Sequence, residues 1–522
     1  MSHRTPYLSG LGLALVLTAC GTTVPVAQQT TGPDQTAVGG AAGPGLGPGS
    51  ALAGGEKGTA SGTAVGSGGV GAAGSVADGT GSASAPGSSV DGPGGGGPQT
   101  GGSIPTSGFG WDAKHFYIGM PTANDAAAAF KAAGANFDNG NIQGDVAAVV
   151  ADINRHGGVL GRMLVPEFHD TSTASVLSNP AAAAQEMCTY FTQDRPVLAL
   201  INGIPQFELD TFHRCLQAKR VSLLALSNTL YSDRDYKRLG NVWSMSSLST
   251  DLLVPTFLGS LARQGFFGGW DTTMGRAGSA PVKVGVLLPD DQTGHYVWSL
   301  MSAALRRQGR SIASSFFYSP DGSSQTAQNE VLQFKAAGVT HVLNLPPVEA
   351  DIGLFQTNAE QQHYRPRYGF TSFNIPLSIE ENPALAPPVQ QIGSIGIGFQ
   401  PANDTDAAHS PGPMAGHANC LKVMRQGGQS FDASHKHAEG VAMAICDVFY
   451  ALRDATRAGG GFSASALFAG MATVGPSFPS ATMFGSGLSR TSQGFPGFYR
   501  DEHYDTPCSC FVYTGVNRAF NR

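Results

Sequence analysis

Four short stretches place hydroxyl and amide side chains directly after apolar runs: Asn202-Gly203-Ile204, Ser227-Asn228-Thr229, Gln292-Thr293-Gly294-His295-Tyr296 and Thr371-Ser372. Such groups give and take hydrogen bonds without carrying charge, so their chemistry is recognition of a small molecule. Glu349, just after Pro346-Pro347, adds a carboxylate at a further turn of this kind. No GxSxG elbow, HExxH helix or P-loop occurs in the chain, and neither catalysis nor a cofactor is expected. His435 and Glu439 share a helical face in His435-Lys436-His437-Ala438-Glu439. Two ligands fall short of the usual three or four, so no metal is expected there.

The chain has seven cysteines. Cys188 and Cys215 fall on successive predicted helices, and Cys420 and Cys446 on two later ones, so both pairs are expected to bridge. The first would close a loop of about 28 residues and contribute roughly 3.5 kcal/mol in the chain-entropy model. Cys508-Ser509-Cys510 is too tight for an easy bridge, though a bridge is not impossible, and a thiol or metal role is the alternative.

The elements that must position these groups alternate. Phe116–Met120 reads as a strand. Val146, Val149, Val150 and Ile153 recur at helical spacing before His156-Gly157-Gly158, where glycine ends the helix. Strands at 163–168, 197–201 and 221–225 are separated by helices, the first opened by Pro180. A second series runs from Val282: strands at 282–288, 312–318, 341–344 and 367–370, with helices between them. The alternation predicts parallel sheets covered on both faces, in two similar lobes. It does not fit one eight-fold barrel, because the segments after residue 400 read as consecutive helices and then short strands.

Composition separates the body from its leader. Gly is 71 of 522 residues, and 27 of these glycines lie in 21–107, a stretch without a single aromatic. That stretch cannot bury enough apolar surface to offset its ordering entropy, so it reads as a tether of about 50 Å root-mean-square span. The formal net charge is −6, with no cluster of Lys or Arg, which argues against a nucleic-acid partner. Upstream, a weak positive start at Arg4 precedes the short apolar run Leu11–Leu17 and then Leu17-Thr18-Ala19-Cys20. This resembles the bacterial lipoprotein lipobox. The resemblance implies a signal peptide over 1–20 and acylation of Cys20, anchoring the chain on the extracytoplasmic face of the cell membrane.

In the body, Ile153-Asn154-Arg155-His156-Gly157-Gly158-Val159-Leu160-Gly161-Arg162 resembles the "INxxGGxxGR" segment of type I periplasmic binding proteins, the branched-chain amino-acid binders above all. The next strand closes on Phe168-His169-Asp170. Lys283–Leu288 with Gly294, and Phe334-Lys335-Ala336-Ala337-Gly338-Val339, resemble further segments in the same order. The resemblance implies α/β architecture, with two doubly wound parallel-sheet lobes joined by a three-strand hinge. Lobe one would take 108–246 and 393–482, and lobe two 247–392 and 483–522.

By the same resemblance, the function expected is capture of a small polar ligand between the lobes for an ABC permease and ATPase. The ligand would be amino-acid-like, or another small carboxylate or amide. A ligand-sensing receptor of the same fold is the alternative, and an enzyme a more distant one. The chain is expected to be a monomer. Asn202, Gly203, Ser227, Asn228 and Thr229 would serve from lobe one, and Thr293, Tyr296, Glu349 and Thr371 from lobe two. Thr371 stands where the amino-acid binders place a carboxylate for the ligand ammonium. Phe130 and Phe137, in a long loop after the first strand, would cover the ligand.

Overall fold

The computed structural model describes residues 107–132, 138–318, 324–345, 349–406, 408–431 and 436–520. The segments expected as signal peptide and tether, with Cys20, up to residue 106, and Phe137 and His435, lie outside the described residues, as do the side chains of Phe130 and Glu349.

Five parallel strands form the first sheet: β1 (His115–Thr122), β2 (Met163–Asp170), β3 (Ala199–Asn202), β4 (Ser222–Ala225) and β5 (Val242–Ser244), in the order β2-β1-β3-β4-β5. Seven strands form the second: β6 (Val284–Pro289), β7 (Ile312–Tyr318), β8 (His341–Asn344), β9 (Arg367–Thr371), β10 (Ile395–Gly398), β11 (Phe498–Asp505) and β12 (Cys510–Ala519). Their order is β7-β6-β8-β9-β10-β11-β12, parallel as far as β10, with β11 and β12 added antiparallel. The parallel part repeats the order of the first sheet. Strands β3, β4 and β8 are buried at every residue, as apolar runs covered on both faces should be.

The helices follow from local patterns. Helix α1 (Ile142–Arg155) buries Val146, Val149, Val150 and Ile153 on one face. Its N-cap is Asn141, whose side chain accepts from Gly144 N, and it stops at Gly157 and Gly158, with φ of 86° and 65°. A Cβ on Gly158 would lie 2.0 Å from the Arg162 carbonyl oxygen, so glycine is required there. Next come α2 (Pro180–Thr189), α3 (Asp210–Ala218), α4 (Thr250–Arg263), α5 (Gln292–Arg307), α6 (Ser324–Ala337) and α7 (Glu349–Gln361). The last three are α8 (His417–Gln426), α9 (Lys436–Gly459) and α10 (Ala464–Val474).

Helices α1, α8 and α9 pack together on the first sheet, while α4 packs on α5 and β10 of the second. The chain therefore crosses between the sheets after β5, again after β10, and a third time before β11. On the third passage Gly494 bridges in parallel to Ser244, with Ser244 N donating to Gln493 O at 2.9 Å. Residues 395–398, expected in lobe one, instead form β10 of the second sheet, and the chain turns back only at Phe399. No helix among the described residues is long and apolar enough to cross a membrane.

Both expected disulfides form. Cys188–Cys215 ties α2 to α3, and Cys420–Cys446 ties α8 to α9, with Cα separations of 6.4 and 6.0 Å. Cys508–Cys510, which spacing left open, also bridges. The left-handed backbone of Ser509, at φ 55°, folds the turn so that the two Cα atoms lie 5.2 Å apart, within disulfide reach.

Where β11 crosses β10 the core holds acids. Glu502 is fully buried and neither carboxyl oxygen has a hydrogen-bond partner. Asp404, also buried, accepts from Ser372 Oγ at 2.7 Å, from Gln400 N at 2.9 Å and from Tyr513 OH. Burial, then the charges of Asp404 and Glu380, hold the Glu502 carboxyl well above the carboxylate range, and burial pushes Glu380 up to about 8. A carboxyl with a raised folded pKa stabilises the fold below its unfolded pKa, about 4.3 for Glu, and that stability is lost as pH rises through the folded value. Denaturant midpoints should therefore fall between pH 5 and 8.5, and Glu502→Gln should flatten the fall. An unchanged slope in the variant would contradict this.

Candidate functional site

In sheets of this order, ligands sit outside the carboxyl ends of the strands, at the point where the strand order reverses, here between β1 and β3. A cavity of about 320 Å³ lies there. Its floor comes from the ends of four strands of the first sheet: Met120–Thr122 at the end of β1, Gly203–Gln206 after β3, Leu226–Asn228 after β4, and Met245 and Ser246 after β5. One wall is α9, through His437, Val441, Ala444 and Ile445. Gln400 and Asn403 from the second crossing close it, with Thr482 and Met483, and Ile375 reaches in from the loop after β9.

No Asp, Glu, Lys or Arg is among the described lining residues. His437 is buried, its Nε2 3.1 Å from Asn139 Oδ1, and burial pushes its pKa down to about 4, so the ring is neutral. The apolar walls are Met120, Ile142, Val176, Leu226, Met245, Val441, Ile445 and Met483, with Pro121 and Pro205. The polar groups largely satisfy one another. Gln400 Nε2 donates to Asn228 Oδ1 at 3.2 Å and to Ser246 O, and Asn403 Nδ2 donates to Gln400 Oε1 at 3.1 Å. Ser246 Oγ donates to Leu226 O and Ser227 O, at 2.7 and 2.8 Å. These bonds clamp the second crossing onto the loops of the first sheet.

A buried acid stands behind those loops. The Glu208 side chain is only 2% exposed and lies 3.2 Å from His213 Nε2. It accepts from Asn202 Nδ2 at 2.6 Å, from Ser227 Oγ at 3.4 Å and from Tyr231 OH. Burial, and then the charge of Glu208, keep the Tyr231 phenol well above its usual pKa. The hydroxyl of Ser227 is thus directed at Glu208 and, at 2.9 Å, at Thr229 Oγ1. A ligand carboxylate at this loop would face the Glu208 charge across one hydroxyl.

Of the residues singled out in the sequence, Gly203, Ser227 and Asn228 line the cavity. Asn202 is fully buried beneath it, bonded to Glu208 and Ile204, and Thr229 supports Ser227 from beside it. Thr293 lies in the first turn of α5, and Tyr296 donates to Asp251, which joins α5 to α4. Thr371 is fully buried and caps the turn after β9, accepting from Phe373 N at 3.2 Å. None of these three is among the lining residues. Sequence reasoning missed His437, Gln400, Asn403 and the Met120–Pro121 corner. On α9, Val441, Ala444 and Ile445 face the cavity, whereas Val448 is core.

No family model matches the chain, and no curated protein matches its sequence. Solved structures do match its fold. A solute-binding protein of an ABC transporter from R. palustris, in complex with 4-hydroxybenzoate, is 11% identical with a TM-score of 0.56, covering 78% of this chain and 98% of that one. A branched-chain amino-acid ABC transporter protein from Thermus thermophilus with bound valine is 13% identical, TM-score 0.55, covering 78% and 97%. A type 1 periplasmic binding protein from Bordetella pertussis Tohama I is 14% identical, TM-score 0.52, covering 77% and 98%. The two-sheet α/β fold of this chain is that of the type I periplasmic binding proteins.

Proposed function

We propose that this chain is an extracytoplasmic solute-binding protein that captures an uncharged, mostly apolar small molecule and delivers it to an ABC-type importer. The observation that carries the ligand class is the cavity at the β1/β3 switch point, whose described lining residues include no Asp, Glu, Lys or Arg. Burying an ion there without a partner costs far more than burying an amide or a hydroxyl. The reading departs from the polar, amino-acid-like ligand expected from resemblance. An amino acid such as the valine of the T. thermophilus protein brings an ammonium, and no carboxylate stands among the described lining residues to meet it. An aromatic body like that of the R. palustris ligand suits the apolar walls better. The chain binds its ligand without turning it over.

Anchoring follows from the lipobox-like Cys20, whose thiol acylation needs. Cys20→Ser should move the protein from the membrane fraction to the soluble one, and retention in the membrane would refute the anchor.

The ligand class is tested by isothermal titration with a matched set: 4-hydroxybenzamide, 4-hydroxybenzoate and valine. The amide should bind at least tenfold more tightly than the anion, a gap of about 1.4 kcal/mol, and valine should give no heat of binding. Tight valine binding would overturn the proposal.

A further inference from the structure

We propose that Cys508, Cys510 and His409, once the bridge between the two cysteines is reduced, form a zinc site at the tip of the β11–β12 hairpin. The inference is independent of the ligand cavity. A ring nitrogen of His409 and the two sulfurs all lie within 4.8 Å of one another, close enough for one ion to touch all three. Two residues separated only by Ser509 supply both sulfurs, and the left-handed turn at Ser509 brings them together. The imidazole comes from a different segment, the turn after the second crossing, so the fold assembles this cluster and local sequence does not.

The surroundings match what a zinc ligand set needs. His409 Nδ1 lies 2.8 Å from Asp406 Oδ1, which also accepts from His409 N at 2.8 Å. With its Nδ1–H donated to that carboxylate, a tautomer assigned from the hydrogen bond, the ring keeps the Nε2 lone pair for a metal. A carboxylate behind a histidine is the usual second partner of a metal-bound imidazole. Asp505 Oδ2 lies 3.5 Å from Cys508 Sγ, within reach of an ion held by that sulfur. Two sulfurs, one nitrogen and one oxygen make a tetrahedral donor set suited to Zn²⁺. Cys510 is 3% exposed, whereas His409 and Cys508 are only partly buried, so an ion has a way in.

The chemistry balances with an external dithiol as reductant. The S–S bond takes two electrons and two protons and becomes two thiols, while the dithiol closes to its own disulfide. Zn²⁺ then displaces both thiol protons to solvent, and the sulfurs bind as thiolates.

The test uses the full chain, reduced with dithiothreitol, desalted under argon and titrated with Zn²⁺ against a chromophoric chelator. One zinc per reduced chain is expected, and none in the oxidised chain. Zinc should shield Cys508 and Cys510 from alkylation, read by peptide mass mapping. His409→Gln, at a partly exposed position that leaves the hairpin cysteines in place, should weaken the site about 10- to 100-fold. Failure of the reduced chain to retain zinc would overturn the proposal. So would alkylation of Cys508 and Cys510 unaffected by zinc, or equal retention in a Cys508→Ser/Cys510→Ser variant.

Discussion

Ala444→Trp is expected to abolish ligand binding while the protein still folds. Ala444 is on the α9 face that forms one wall of the cavity, between Val441 and Ile445. An indole there would project into the cavity and occupy the space between α9 and the strand-end loops where the ligand would sit. The small-to-large change avoids the overpacking cost of a filled core because the space is open. Affinity for whichever ligand the wild-type chain binds should fall at least 100-fold, about 2.7 kcal/mol, in calorimetric titration. A change of less than threefold, with the variant folded, would show that the ligand sits elsewhere.

Removing the Cys420–Cys446 bridge, as the double serine variant, should lower stability strongly. The bridge joins α8 to α9 across a sequence separation of 26. In the chain-entropy model this is worth about 3.5 kcal/mol. For a body of this size that lowers the melting temperature by about 4 °C. Cys188–Cys215, with a separation of 27, should behave alike. Cys508–Cys510 spans a separation of only 2, so it constrains the unfolded chain little, and its loss should shift the melting temperature far less. Equal shifts for all three pairs would contradict the loop-entropy account.

The fold was legible because its signals are local. Ala199–Asn202 and His341–Asn344 are apolar runs of strand length, and Val146 to Ile153 carry a helical period that ends at two glycines. Those features depend on neighbours in sequence, so alternation of strand and helix could be read directly. The long disulfide pairs were legible for the same reason, one cysteine on each of two successive helices.

The site was legible only where the strand-end rule applies, at Gly203, Ser227 and Asn228. Its chemistry depends on residues distant in sequence. Glu208 turns Ser227 and Asn202 away from a ligand carboxylate, yet nothing in Phe207-Glu208-Leu209 signals that its carboxyl is folded inward. Thr371 follows a strand as a ligand-binding hydroxyl would, but the next three residues form a tight turn that it caps. Gln400 and His437 reach the cavity from segments 198 and 235 residues beyond Asn202, and no spacing rule joins them. Spacing left the Cys508–Cys510 bridge open because it does not reveal the positive φ of Ser509.

The central claim, that the cavity holds an uncharged and mostly apolar molecule, is tested most directly by identifying what it retains. Purified protein would be incubated with a metabolite extract, washed, denatured, and the released small molecules identified by mass spectrometry. Ala444→Trp, treated in parallel, would serve as the blank. The account predicts a compound enriched only by the wild-type chain, without an ammonium or carboxylate group and with most of its surface hydrocarbon. Specific release of an amino acid, or of a di- or tricarboxylate, would contradict it.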